Sequence, residues 1–300
     1  MLSKVTRFVH RYLAGLIAAQ KSPIYILGLP RSGTTWIATV FNSAESVKYF
    51  HEPFNCTNVP GASQFCMQYL SSEGNLEFER RCRAAFAGHI KDSSVRWMLT
   101  SHYRRFPWWP GRIVIKDVCS CLSADWVYQH LAPIIVIVIR HPCAVAASWS
   151  SLHYDVDRHI TAVLRQKNLI GDFLRPFERT MKSAKNFWQK IGALWGATYY
   201  VLLEQQKIHP EWIIIEHEAL CLDPVKKFRE LFDTLNLEWT RWTDEELRRT
   251  INSQSNQPYQ VRRISAQEPE KWKGELDAQR IKQVRQFAEP FGISRYTNWS

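Results

Sequence analysis

The sequence predicts an α/β protein of the P-loop-like type, three layers deep (α/β/α) around a central parallel sheet. Three observations carry this. Short apolar runs alternate with helix-period segments along the 300-residue chain, the order that places helices on both faces of a parallel sheet. The runs at Ile24–Leu27, Ile113–Lys116 and Ile134–Ile139 are apolar almost throughout, as strands covered on both faces are. The first run leads straight into Pro30-Arg31-Ser32-Gly33-Thr34-Thr35-Trp36. A strand, a tight turn and a helix start in that order aim amide N–H groups and a positive dipole end at a phosphate.

Taken along the chain, strands are expected at Ile24–Leu27, Val47–Phe50, Ile113–Lys116, Ile134–Ile139 and Trp212–Ile215. A helix over Thr34–Ser43 follows from the pairs Trp36/Val40 and Ile37/Phe41, each four residues apart. Further helices are expected at Ala144–Leu152, Ser183–Leu203 and Pro224–Leu235. The last has Asp223 as its N-cap and Pro224 in its first turn. With no internal repeat, low-complexity tract or long Gly/Ser linker, residues 23–300 read as a single domain.

Residues 1–22 are set apart as a basic amphipathic helix. Val5, Phe8, Val9, Tyr12, Leu13, Leu16 and Ile17 form an apolar stripe, with Lys4, Arg7 and Arg11 among the rest. The uncharged run from Tyr12 to Gln20 is too short to span a bilayer, which takes about 20 residues. Docking on the chain's own domain is the first reading of this stripe. Peripheral contact with an anionic membrane is the second.

The net charge of +11 favours an anionic partner. No basic run is interleaved with aromatics, so nucleic acid is not expected as that partner. Seven cysteines without C-x-x-C pairing read as mostly reduced, which suits a cytoplasmic setting. Among thirteen tryptophans, Trp108, Trp109 and Trp299 fall in loop-like stretches, where they either line an acceptor cleft or seal loops onto the core. Asn55-Cys56-Thr57 is a glycosylation sequon by pattern alone.

The turn itself narrows the ligand. Arg31 can fork onto phosphate oxygens, and Thr34 and Thr35 add hydroxyl donors. From Gly28 to Gly33 the spacing imitates the triphosphate loop G-x-x-x-x-G-K-[ST], yet Thr34 stands where that loop has lysine. The strand Ile134–Ile139 ends in Arg140, where a triphosphatase holds magnesium with an aspartate. Arginine at both places suits an anion bound without a metal, and no metal ligands are assigned. A P-loop kinase or nucleotide triphosphatase is the alternative enzyme, and a non-catalytic anion-binding module the alternative outside enzymes.

These residues resemble the PAPS-dependent sulfotransferases, which use 3′-phosphoadenosine 5′-phosphosulfate. Pro30 to Trp36 resembles their 5′-phosphosulfate loop, and Ile134 to Pro142 with Ser148, eight residues beyond Arg140, resembles their 3′-phosphate signature. The two stand in the family's order, about a hundred residues apart. The resemblance implies a P-loop-like fold and transfer of a sulfonate from PAPS to a hydroxyl, releasing adenosine 3′,5′-bisphosphate. It implies that Arg31, Ser32, Gly33, Thr34 and Thr35 hold the 5′-phosphosulfate and that Arg140 and Ser148 bind the 3′-phosphate. Trp36 matches the position where cytosolic members stack the adenine, and is equally placed to be core. Lys116, at a strand end, matches the lysine that reaches the transferring sulfonate.

The base departs from the cytosolic pattern. Their catalytic histidine lies two residues beyond that lysine, where this chain has Val118. Instead, Tyr49-Phe50-His51-Glu52-Pro53-Phe54 resembles the glutamate-proline element of the Golgi carbohydrate sulfotransferases. Glu52 would then take the acceptor's proton, with His51 as rival, and the acceptor would be a glycan hydroxyl. Ile215 to Leu220 keeps the family's glutamate and leucine at Glu218 and Leu220 but departs at His217 and Ala219, so no catalytic role is assigned there. Arg262-Arg263 and Trp272-Lys273-Gly274 resemble the basic loop over the 3′-phosphate, with different spacing, and Arg263 is carried as a donor-binding candidate. The loops 55–93 and 171–183 are expected to shape acceptor choice.

Overall fold

The computed structural model describes residues 20–55, 59, 61–71, 75–89, 110–251, 265–296 and 298–299, with positions 9, 12, 13, 16, 17 and 19 of the leading segment. The elements run β1 (Ile24–Leu27), α1 (Thr34–Phe41), β2 (Val47–His51), α2 (Leu76–Phe86), β3 (Arg112–Asp117), α3 (Ala124–Leu131) and β4 (Ile134–Ile139). They continue as α4 (Pro142–Ser151), α5 (Val156–Leu164), α6 (Phe187–Ile208), β5 (Ile213–Glu216), α7 (His217–Leu222) and α8 (Pro224–Thr234). The chain closes with α9 (Arg241–Ile251), α10 (Lys271–Glu275) and α11 (Ala278–Ala288).

The five strands form one parallel sheet in the order β2-β3-β1-β4-β5. Successive side chains of a strand face opposite ways, and the two cores follow that alternation. Tyr25, Leu27, Ile115, Ile137 and Ile139 belong to one, packed with α2, α3, α4, α6 and α11. Ile24, Ile26, Val114, Val136 and Val138 belong to the other, under α1, α8 and α9. The three-layer α/β/α expectation therefore holds. All four residues of β1 are fully buried, and each apolar side chain so removed from water contributes about 1.5–3 kcal/mol.

The expected strands recur within a residue at each end, and Asp223 caps α8 by accepting from the Lys226 amide. The helix expected over Ser183–Leu203 instead starts at Phe187 and runs to Ile208, with Asn186 as its side-chain cap. Helices α2, α3, α5, α9 and α11 had not been placed from sequence. The leading segment also differs from its first reading. Its described apolar positions are open to solvent, with Val9 at 48%, Leu13 at 53% and Ile17 at 63% exposure, so these side chains do not dock on the domain.

Beta-1 sits where connections depart in both directions, with β3 on one side and β4 on the other. In open parallel sheets, the crevice at such a switch point, beyond the carboxyl ends of the strands, is where ligands bind. The turn after β1 carries Arg31, and the turn after β4 carries Arg140.

Candidate active site

Two glycines let the turn after β1 close. A Cβ at Gly28 would lie 2.4 Å from the Val138 carbonyl oxygen and 2.6 Å from Ser32 Oγ. Gly33 has φ +98°, and a Cβ there would fall 2.2 Å from the ring of His217. Arg31 itself holds a positive φ of 74°, a conformation that costs a side-chain-bearing residue energy and recurs at functional sites. Gly33 O is the acceptor for both the Trp36 and Ile37 amides. The amides of Gly33, Thr34 and Thr35 thus precede the first intrahelical donor, the Trp36 N–H, and are open to an anion.

Aromatic donors from distant elements brace the turn, and sequence reading had not singled them out. The Trp149 indole N–H donates to Pro30 O at 2.8 Å. The Tyr199 hydroxyl donates to Val138 O at 2.8 Å and accepts from the Leu29 amide at 3.2 Å. Across the crevice, the Trp195 indole N–H donates to Arg140 O at 2.9 Å. Ser32 is fully buried and its hydroxyl donates to Leu29 O, so this side chain shapes the turn rather than facing a ligand.

The arginines and the serine meet. Arg31 Nε donates to Ser148 Oγ at 2.9 Å, and Arg140 Nη1 donates to Arg31 O at 3.1 Å. Arg140 Nε is buried with no hydrogen-bond partner among the described residues. An orphaned guanidinium N–H beside open helix-start amides fits an anionic ligand with two separate phosphate groups. Glu218, to which no catalytic role was assigned, fixes this turn: Oε1 accepts the His141 amide at 2.9 Å and Oε2 the Tyr296 hydroxyl at 2.7 Å.

A second cluster lies at the ends of β2 and β3. His51 pairs with Lys116 in register, and the Glu52 amide continues the ladder to Lys116 O at 2.7 Å. Glu52 has φ +47°, a left-handed kink that ends the strand. Its carboxylate accepts from Lys116 Nζ and from the Asn55 side-chain amide. Burial alone would push the Glu52 carboxyl up, but Lys116, His51 and Asn55 hold it at about 2. Burial, reinforced by the Lys116 charge and opposed by Glu52, brings His51 down to about 4. His51 is therefore neutral at pH 7. The buried Tyr49 hydroxyl stands 2.7 Å from His51 Nδ1. Burial keeps that phenol protonated, and the other ring nitrogen, Nε2, lies 3.7 Å from Glu52 Oε1.

Asp117, next to Lys116, is committed to structure. It is fully buried, with Oδ2 accepting from the Phe54 amide and Oδ1 from the Cys119 and Ser120 amides and the Ser120 hydroxyl. That set of donors pins the turn after β3 to the turn after Glu52.

Among the remaining sequence candidates, Trp36 is core: it is 7% exposed, its indole N–H donates to Thr250 Oγ1 at 3.0 Å, and its ring meets Phe228 edge-on. Of the two places the sequence offered for this ring, the packing in this structure is the core one, with His217 at its edge. Trp299 is likewise buried, against His141. Arg263, Trp108 and Trp109 lie outside the described residues.

The family model of the sulfotransferase family matches residues 23–241. This chain belongs to the sulfotransferase family. The expectation of a PAPS-dependent sulfotransferase, drawn from the two signatures, holds for family and transferase class. Similar solved structures include the sulfotransferase domain of the Synechococcus PCC 7002 olefin synthase, at 15% identity and TM-score 0.49, covering 91% of this chain and 96% of that one. Mouse sulfotransferase SULT7A1 complexed with PAP is similar at 14% identity and TM-score 0.46, covering 95% and 90%. STF9 from Mycobacterium avium is similar at 13% identity and TM-score 0.45, covering 96% and 80%. No curated protein sequence matches the chain.

Proposed function

We propose that this sulfotransferase moves the sulfonate of PAPS to a glycan hydroxyl, without a metal, using Arg31, Lys116 and Glu52. The observation that carries this reading is the convergence of Arg31, Ser148 and Arg140 at the switch point, one strand away from the Glu52–Lys116 pair. PAPS, when bound, supplies the sulfonate and a phosphate leaving group. Arg31 and the amides of Gly33, Thr34 and Thr35 hold the 5′-phosphosulfate and neutralise charge on the bridging oxygen as it leaves. Arg140 and Ser148 hold the 3′-phosphate. Lys116 turns from Glu52 to the sulfonate oxygens.

Losing Lys116 is what makes Glu52 a base. Without that cation the upward push of burial is opposed only by His51 and Asn55, and the carboxylate becomes a better proton acceptor. The acceptor oxygen bonds to sulfur, its proton passes to Glu52, and the S–O bond to the 5′-phosphate breaks. With Tyr49 donating to Nδ1, His51 would carry its proton on Nε2, 3.7 Å from Glu52, and so would orient the carboxylate with no lone pair on that nitrogen for the acceptor's proton. The glycan assignment rests on the glutamate-proline element at Glu52-Pro53.

The deciding experiment incubates the protein with ³⁵S-labelled PAPS and a panel of glycans, tyrosine peptides and small alcohols, with and without EDTA. Label on a glycan in the presence of EDTA is the expected result. Label confined to peptides or alcohols would overturn the glycan assignment, and EDTA-sensitive transfer the metal-free one.

The leading segment supports peripheral contact of a cytoplasmic protein with an anionic membrane. Its solvent-facing Val9, Leu13 and Ile17 accompany a sequence rich in Lys and Arg. Co-sedimentation with phosphatidylserine vesicles, lost on deletion of residues 1–19, checks it.

A further inference from the structure

Arg140 already holds an anion of the protein's own. Its Nη2 stands 3.3 Å from Glu268 Oε2, a partner 128 residues further along the chain, and the two side chains are 11% and 14% exposed. Glu268 sits in the turn ahead of α10, and that turn is anchored beside the crevice. Trp272 of α10 stacks flat on the ring of His141, at 4.5 Å between centroids and 6° between planes. His141 is the residue after Arg140, and its Nε2 meets Asn298 O at 3.0 Å. Glu268 is thus delivered to Arg140 by a docked segment and not by chance contact at the surface.

A carboxylate and a phosphate seek the same edge of a guanidinium. They cannot share it: two anions a few ångströms apart, this far from water, repel strongly. With Nη1 taken by Arg31 O, the edge formed by Nη2 and the orphaned Nε is what a phosphate would use, and Glu268 sits at its Nη2 end. An alternative cation is at hand, since Lys271 Nζ lies 4.0 Å from Glu268 Oε1 and is half exposed. Rotation of the Glu268 side chain toward Lys271 would clear Arg140 without moving α10.

We propose that Glu268 is an internal competitor for the 3′-phosphate subsite, a residue that sets donor and product affinity without touching the reacting atoms. It holds Arg140 in the donor-free protein, gives it up to the 3′-phosphate, and reclaims it as adenosine 3′,5′-bisphosphate departs. Glu268 weakens donor and product binding alike and speeds product release. The inference rests on the reading of Arg140 as the 3′-phosphate residue.

Calorimetric titration of adenosine 3′,5′-bisphosphate and of adenosine 5′-monophosphate into the full chain tests it, with E268Q, E268A, R140A and E268Q/R140A alongside. Both Glu268 variants are expected to bind the bisphosphate about 5- to 10-fold tighter than wild type. The monophosphate, which lacks the 3′ group, should be unmoved, and the gain should vanish in the double variant. Bisphosphate affinity at or below wild type in both Glu268 variants overturns the inference, as does an equal gain for the monophosphate. An R140A protein that binds the bisphosphate as wild type does overturns the reading of Arg140 itself, and the inference with it.

Discussion

The ammonium of Lys116 and the carboxylate of Glu52 meet at the carboxyl edge of the sheet, 3% and 13% exposed. Removing one member of a buried pair leaves the other charged and unpaired, at a cost of about 3 kcal/mol or more. Lys116→Met is therefore expected to lower stability by that amount in urea denaturation. It should also reduce transfer at least 10²-fold, more than the folded fraction explains.

Glu52 and His51 separate by their conservative variants. Glu52→Gln removes the proposed proton acceptor and should cost about 10²-fold or more in kcat. His51→Gln keeps an N–H donor near the former Nε2 and should stay within about 3-fold of wild type, whereas His51→Ala, with no donor, should fall further. A His51→Gln enzyme as dead as Glu52→Gln would make His51 the base.

Gly33 accepts no side chain. Gly33→Ala must hold φ +98° and drive a methyl into the His217 ring, so we expect about 2–3 kcal/mol of destabilisation. Bisphosphate binding should be lost as well, read by calorimetry on the folded protein.

Stability should fall on acidification from pH 6.5 to 4. Burial depresses His51 and His141 to about 4 and holds His217 well below its ordinary value, so the unfolded chain takes up protons that the native state refuses. Stability is then complete above the unfolded value near 6.5 and is lost as pH falls toward 4. Asp117, raised to about 6 by burial and Glu52, works the other way, but three histidines outweigh one carboxyl. His141→Gln should remove about 3 kcal/mol of this dependence, visible as a flatter plot of Tm against pH.

Much of this was legible in the chain. Beta-1 and β4 are apolar at every position, and the pattern of Pro30 to Trp36 specifies the strand-turn-helix that the fold shows. Arg31, Ser148 and Arg140 were singled out by motif and do meet. Glu268 and Tyr49 were not, because each meets its partner through the folded backbone: Glu268 lies 128 residues from Arg140, and Tyr49 reaches His51 because i and i+2 of a strand share one face. Trp36 shows the limit of local pattern, since an aromatic on a helix face reads alike whether that face meets a ligand or a core.

The sequence by itself determined the layer order, the anion-binding turn and the residue types that face it. Periodicity, glycine placement and charge are local properties, and each acts over a few residues. Tertiary structure alone decided the partners: Lys116 on Glu52, Glu268 on Arg140, Trp36 in the core and the described apolar positions of the leading segment in solvent. Those pairings depend on which strands become neighbours and how far each side chain is withdrawn from water. Desolvation and Coulomb attraction at that range set how readily a buried glutamate takes a proton and which cation it holds.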